Sequence, residues 1–200
     1  EAQRRLDAGR HAGLQHAPGI IVAKHHDDRV AGDLVALGGG PRTCAGPSDN
    51  AHAIGFGGRF EAGGHVLALR VYWEDTDAAG MVYYANYLRF AERARTELLR
   101  DLGIENTQLM EQQNLTFVVR RCSMEFVKPA KLDDMLAVET RLIDIGGASL
   151  TADQRVCRDQ TDLVSMELKL ACMTMDGRPS RLPADVRKQF EDFGVAKQAT

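Results

Sequence analysis

The sequence predicts an α+β fold: a curved antiparallel sheet of about five strands wrapped around one long buried helix. Three observations predict it. A single segment, Tyr84 to Leu102, carries apolar residues at the 3.6-residue period of a helix. Flanking segments instead alternate with the period of two that marks a strand. The order is strand, helix, then strands joined by short turn signals, a pattern that places one helix against one antiparallel sheet.

Taken in order, "HVLALRVYW" sets Leu67, Leu69, Val71 and Trp73 on one face and reads as a half-buried strand. An acidic turn, "EDTDAAG", follows. From Tyr84 the apolar or aromatic positions are 84, 87, 88, 91, 94, 98, 99 and 102, one broad buried stripe. Gly103 stops the helix, because glycine enters the left-handed cap conformation without steric cost. After a short connector, "LTFVVRRCSMEFV" reads as a strand closed by Lys128-Pro129-Ala130-Lys131, and "MLAVETRLIDI" and "SLTADQRVCR" as the next two. In the last, "LVSMELKLACMTM", Val164, Met166, Leu168, Leu170 and Cys172 alternate with Ser165, Glu167 and Lys169. The turns are Ile145 to Ala148 and Arg158 to Thr161, and a short helix is expected near Ala184 to Phe190. A sheet this small leaves an exposed edge strand, and pairing it with a second copy is the usual remedy, so a homodimer or homotetramer is expected.

Composition divides the chain near residue 65. Of 19 glycines, 13 fall in residues 1–64, a segment without Trp or Tyr and with only Phe56 and Phe60 as aromatics. Such a segment buries too little to offset backbone ordering at about 1–2 kcal/mol per residue. Residues 1–64 are therefore expected to be a Gly-rich extension without stable structure, and 65–195 the folded domain. All six histidines lie between His11 and His65. From Val66 onward a Ser-His-Asp set, a Cys-His pair or a His-ligated metal has no histidine to draw on. His25-His26-Asp27-Asp28 reads as a solvated loop, so no metal is expected.

A formal net charge of -3 gives no concentrated positive field, which argues against nucleic acid or an anionic membrane as partner. No apolar run approaches the roughly 20 residues needed to span a bilayer, and "PGIIVAK" is too short for a secretory h-region. Cys44, Cys122, Cys157 and Cys172 form no CxxC pair and read as free thiols of a reducing compartment. Together these features point to the cytoplasm.

The stretch "EDTDAAGMVYYANY" packs Glu74, Asp75 and Asp77 ahead of a small-residue turn and a run of tyrosines. One reading is structural: Asp side chains bond their own backbone in tight turns, and an acid before a helix favours its positive end. The other is chemical. One carboxylate would suffice for a cap, and unpaired N–H groups at a helix start can hold a carbonyl oxygen as negative charge grows on it. A nearby carboxylate would attack the acyl carbon or deprotonate water, with an ester or thioester as the natural partner.

The stretch "RVYWEDTDAAGMVYYANYLRFAERARTELLRDLGI", with "VKPAKLDDML" and "GRPSRLP", resembles the 4-hydroxybenzoyl-CoA thioesterase family of hotdog-fold proteins. Within it, the likeness is to the Tol-Pal-associated acyl-CoA thioesterases, over roughly residues 66 to 190. The resemblance implies a hotdog fold in dimers or tetramers, a site at the subunit interface, and hydrolysis of an acyl-CoA thioester without a metal or other cofactor. By position, Asp77 matches the catalytic carboxylate, as nucleophile or as general base on water. Tyr84 would act through its backbone N–H on the thioester carbonyl, and Gly80 would permit the turn. Val82 and Tyr83 would line the substrate, while Asp75 and Glu74 would be structural.

Two departures from the family pattern stand out. Tol-Pal-associated members usually show histidine at the position of Tyr84, and a phenol with a pKa near 10 is a poor base at neutral pH. In the turn "DIGGASL", where relatives carry Lys or Arg toward the CoA phosphates, this chain has Gly146, Gly147, Ala148 and Ser149. Gly147 and Ser149 are then expected to meet the substrate as an uncharged turn, with phosphate contacts from Lys128, Lys131 and Arg181. Glu92 and Glu97 are expected to pair with neighbouring arginines. The rival reading is a protein that binds acyl-CoA or acyl carrier protein for an envelope or lipid-synthesis assembly without turnover.

Overall fold

The computed structural model describes residues 57–61 and 63–194. Strands β1 (Arg59–Glu61), β2 (Gly64–Arg70), β3 (Leu115–Phe126), β4 (Met135–Ile145), β5 (Ser149–Arg158) and β6 (Thr161–Thr174) form one sheet in the order β1-β2-β4-β5-β6-β3. Every pairing is antiparallel. Helices α1 (Asn86–Asp101), α2 (Asn106–Gln113) and α3 (Ala184–Phe193) complete the domain.

The period-two positions of the central strands make the inner face. Leu136 and Val138 of β4, Val156 of β5, and Val164, Met166 and Leu168 of β6 are buried against Tyr87, Phe90, Ala91 and Ala94 of α1. Ala91 and Ala94 are fully buried, and their small side chains let the helix axis approach the sheet. Gln154 is the polar exception on this face. Its Nε2 donates to the Ala91 carbonyl at 3.0 Å and to Thr140 Oγ1 at 2.8 Å, and its Oε1 accepts from Arg95 Nη1 at 2.7 Å. A buried amide with these partners costs far less than an unpaired one. Further along the same face α2 and α3 close a second cluster, in which Phe117 meets Phe190 edge-on at 5.9 Å.

Several expectations are corrected. Residues 57–61 and 63–64 do not belong to a structureless extension: β1 pairs with β2 from Arg59↔Val66 to Glu61↔Gly64 and makes the sheet six-stranded. Phe60 supplies the apolar contact that composition had seemed to deny this segment, lying 5.7 Å from Phe193 and 5.5 Å from the His65 ring. Residues 1–56, with His25 to Asp28 and Cys44, and residue 195 lie outside the described residues. β2 ends at Arg70, and the chain turns into a short 3-10 helix, Trp73–Asp75, so Trp73 is 78% exposed rather than on the buried face. The connector after α1 contains the helix α2. Cys122 and Cys172 are free thiols, whereas Cys157 is disulfide-bonded, against the expectation of four free cysteines.

α1 begins at Asn86, two residues after Tyr84, and ends as expected: Gly103 takes φ 76° and donates its N–H to the Arg100 carbonyl at 2.8 Å. β3 lies at one edge of the sheet, with a bulge between Val119 and Arg121 and Arg120, Arg121, Cys122 and Ser123 exposed. No helix among the described residues is long and apolar enough to cross a membrane.

Candidate active site

Beyond β2 the chain is held to the start of β4, because Val71 N–H donates to the Asp134 carbonyl at 3.0 Å and Asp133 N–H to the Val71 carbonyl at 3.1 Å. The three acids of the turn then separate by role. Asp75 is 3% exposed and its Oδ2 accepts the Tyr72 N–H at 2.9 Å, which makes it the cap of the 3-10 helix. Glu74 is exposed on that helix. Asp77 is exposed at the tip of the next turn, where its N–H donates to the Met81 carbonyl at 2.8 Å. Its Oδ1 accepts Ala79 N–H at 2.8 Å and Met81 N–H at 3.4 Å. Gly80 closes this turn with φ 70°, a conformation that a side chain at that position would oppose. The turn thus uses one oxygen of Asp77, while Oδ2 accepts from no described residue.

The helix start faces the same turn. Tyr83 N–H donates to the Asp75 carbonyl at 2.9 Å, and Asn86 N–H to the Tyr83 carbonyl at 2.8 Å. Asn86, 7% exposed, adds its side chain: Nδ2 donates to the Asp75 carbonyl at 2.9 Å. Tyr84 and Ala85 lie in the turn that leads into α1, and among the described residues their N–H groups meet no acceptor. These are unpaired donors at a helix start, seven and eight residues after Asp77 in sequence. Above them the Tyr83 and Tyr84 rings lie 4.6 Å apart, with Tyr84 62% exposed. The Tyr84 hydroxyl beside it raises the Tyr83 phenol above its ordinary value, so Tyr83 is no base at neutral pH. Tyr72 and Trp73 extend the exposed aromatic surface.

The lysine-bearing loop packs on this turn. Val82 N–H donates to the Ala130 carbonyl at 2.9 Å, Met81 bridges to Lys131, and Ala130 N–H donates to the buried Tyr87 hydroxyl at 2.9 Å. Asp77, Gly80, Tyr83, Tyr84 and Lys131 are thereby gathered at one end of the sheet, with Lys128 in the same loop. Val82 is there too, but its side chain is buried in the core cluster.

Gly147, Ser149 and Arg181 are not brought to Asp77. They sit past the far end of β4, whose 11 residues span roughly 35 Å. There Gly146 N–H donates to the Ser149 carbonyl at 2.8 Å and Leu182 N–H to the Gly147 carbonyl at 3.0 Å. Arg187, passed over in the sequence, donates its guanidinium to the Gly146 carbonyl, so the uncharged turn has a cation from α3 beside it. Asn86 was also missed; its only signal is a lone amide among tyrosines at a helix start. Glu97 pairs with Arg100 at 2.5 Å as expected, and Glu92, which accepts from Thr96 Oγ1 at 2.9 Å, also acts electrostatically on Arg95.

Comparison with known proteins agrees with this architecture. The profile of the thioesterase-like superfamily matches residues 71–190, from the end of β2 through most of α3. The acyl-CoA thioesterase YbgC of Haemophilus influenzae is 42% identical over 128 residues, 64% of this chain and 94% of that protein. The acyl-CoA thioester hydrolase YbgC of Escherichia coli O157:H7 is 39% identical over 125 residues, 62% of this chain and 92% of that protein. Among solved structures, a probable thioesterase from Bartonella henselae superposes with a TM-score of 0.59 at 39% identity, covering 60% of this chain and 99% of that one. A 1,4-dihydroxy-2-naphthoyl-CoA thioesterase from Synechocystis shares the fold at 20% identity, with a TM-score of 0.61 over 65% of this chain and 97% of that one. With a hotdog sheet around α1 and a match that runs through the acidic turn and the helix start, the chain belongs to the thioesterase-like superfamily.

Proposed function

We propose that this protein hydrolyses acyl-CoA thioesters at the turn between Asp77 and Tyr84. The observation that carries the reading is a carboxylate with one oxygen left free by its own turn, on a loop tied directly to the segment whose Tyr84 and Ala85 N–H groups are unpaired. The N–H groups take up the charge that develops on the thioester oxygen, and Asp77 either adds to the acyl carbon or removes a proton from the water that does. In the second case hydroxide adds, the C–S bond breaks, and the CoA thiolate leaves and takes up the proton. In the first an acyl anhydride on Asp77 forms as the thiolate leaves, and water then cleaves it. Either route uses protein groups and water, with CoA only as part of the substrate. The names of the YbgC relatives support the reaction class.

The finer placement, among 4-hydroxybenzoyl-CoA thioesterases of the Tol-Pal-associated kind, is supported by the stretch from Arg70 to Ile104, and with it we propose a cytoplasmic enzyme. We further propose that it works as a homodimer or homotetramer. The exposed edge β3, which ends in the exposed Phe126 and is followed by the exposed Val127, is the surface that a second copy would cover. Gly147, Ser149 and Arg181 lie so far from Asp77 along β4 that their use on the same substrate calls for a second chain.

Free-thiol release from short, long and aromatic acyl-CoAs, with Asp77→Asn and Asp77→Ala beside the parent protein, tests the reading. Turnover should fall by about a thousandfold or more in both variants while their folding is unchanged. No turnover on any substrate, with acyl-CoA or acyl carrier protein still bound, would leave a binding protein as the function.

A further inference from the structure

We infer that Asn86 is a positioning residue for the hydrolysis, setting the distance between Asp77 and the unpaired N–H groups at the start of α1; this rests on the roles proposed above for those groups. The two halves of the site stand on different segments, Asp77 on the turn that ends at Met81 and the donors on the turn that enters α1. What joins them is the Asp75 carbonyl. It accepts the Tyr83 N–H at 2.9 Å and the Asn86 Nδ2 at 2.9 Å, and Asn86 in turn donates its own N–H to the Tyr83 carbonyl at 2.8 Å. Asn86 therefore holds both ends of the short connection, Asp75 just ahead of Asp77 and Tyr83 just ahead of Tyr84.

The side chain is nearly buried and belongs to the first residue of α1, so the rigid helix is its anchor. Among the described residues, no other side chain of α1 hydrogen-bonds to the acidic turn. Losing Nδ2 leaves the Asp75 carbonyl with its Tyr83 partner and the Asn86 N–H on the Tyr83 carbonyl, so the loop keeps its course but the acidic turn loses its direct tie to the helix. Catalysis is more sensitive than folding to such a change, because a displacement of about 1 Å between reacting groups costs about a hundredfold in rate.

The test compares Asn86→Ala and Asn86→Asp with the parent protein, at pH 7.5 and well below each variant's melting temperature. Both should lose about 10- to 100-fold in kcat with KM changed by less than about threefold, since the change acts on the reacting geometry rather than on remote binding. Asn86→Asp keeps the shape and removes the donor, so a merely space-filling role would leave it active. Amide hydrogen exchange of the same proteins supplies a readout that needs no turnover. Exchange at Asp77, Gly80 and Tyr83 should quicken in both variants while the middle of α1 stays protected. Parent-like kcat, or unchanged exchange in that turn, would overturn the inference. A parent protein silent on every thioester would sink the functional reading and the role in hydrolysis with it, whereas an active parent with parent-like variants would overturn the role of Asn86 alone.

Discussion

The imidazole of His65 is wholly buried with its Nε2 2.7 Å from the Oδ2 of Asp101, the last residue of α1. That contact joins β2 to the helix end farthest from the candidate site. The same Asp101 oxygen accepts the Gly58 N–H at 3.0 Å, so the segment before β1 is held there as well.

This arrangement predicts a stability role for residues that composition had assigned to an extension. A Cβ on Gly58 would fall 2.1 Å from His65 Cε1 and 2.9 Å from the Val66 carbonyl oxygen. Gly58→Ala must therefore push the ring or the strand aside, at a cost of about 1–3 kcal/mol. His65→Ala should cost about 2–4 kcal/mol through the cavity and the lost contact with Asp101, which keeps only the Gly58 N–H. Chemical denaturation reads both, and thioester hydrolysis by the folded fraction should be unchanged in each.

Gln154 makes a second prediction from within the core. Gln154→Leu is close in volume, yet it removes the acceptor for Arg95 and the donor to Thr140. Burial already holds the Arg95 guanidinium below its ordinary pKa, and taking away a neutral partner leaves a charge poorly compensated under the helix. A loss of about 2–4 kcal/mol in urea unfolding is expected, and a smaller loss for Gln154→Glu, which keeps an acceptor for Arg95 but has no donor for the Ala91 carbonyl.

Tyr87 ties pH to stability. Burial raises its phenol above the ordinary value of 10.0, although the Ala130 N–H that it accepts works in the opposite direction. A group with a raised folded pKa adds stability that is fully present below the unfolded value and is lost as pH rises through the folded one. The protein should therefore lose stability progressively above about pH 10, and Tyr87→Phe should flatten that decline. The same variant leaves the Ala130 N–H unpaired, so near neutral pH it should be less stable by about 1–2 kcal/mol. Thermal melts from pH 7 to pH 11 separate the two effects.

How much of this was legible in the sequence follows from which signals are local. The stripe of Tyr87, Ala91, Ala94 and Leu98 and the alternation from Val164 to Cys172 are set within single elements and appear as read. Phe90, wholly buried, was left out of the stripe, and Tyr84, placed on it, is exposed because the helix starts only at Asn86. Trp73 was misplaced because alternation continues past the point where Asp75 captures the Tyr72 N–H and ends the strand. β1 was missed because its three residues gain their stability from Phe193, over a hundred positions later. Asp77 stood out as a candidate because acids beside tyrosines are unusual for either core or surface. Asn86 and Arg187 were not, since their partners are backbone carbonyls that only the folded chain brings near.

Tyr84 offers the sharpest separation of side chain from backbone. If its N–H is the group that holds the thioester oxygen, the ring is dispensable for the chemical step. Tyr84→Phe should keep kcat within about threefold and change mainly the acyl preference, read as KM across the acyl-CoA panel. Proline at the same position removes the donor. The Asn86 N–H to Tyr83 carbonyl bond makes Tyr84 the second residue of a four-residue turn, where the fixed φ of proline is well tolerated, and Ala85 after it is at φ −70°, ψ −20°. Tyr84→Pro should therefore fold, with a melting temperature close to that of Tyr84→Phe, yet lose about 100- to 1000-fold in kcat, as for removal of one oxyanion donor. A folded Tyr84→Pro variant with unimpaired turnover would show that the carbonyl oxygen is held elsewhere, leaving the Ala85 N–H or a second chain to supply the donor.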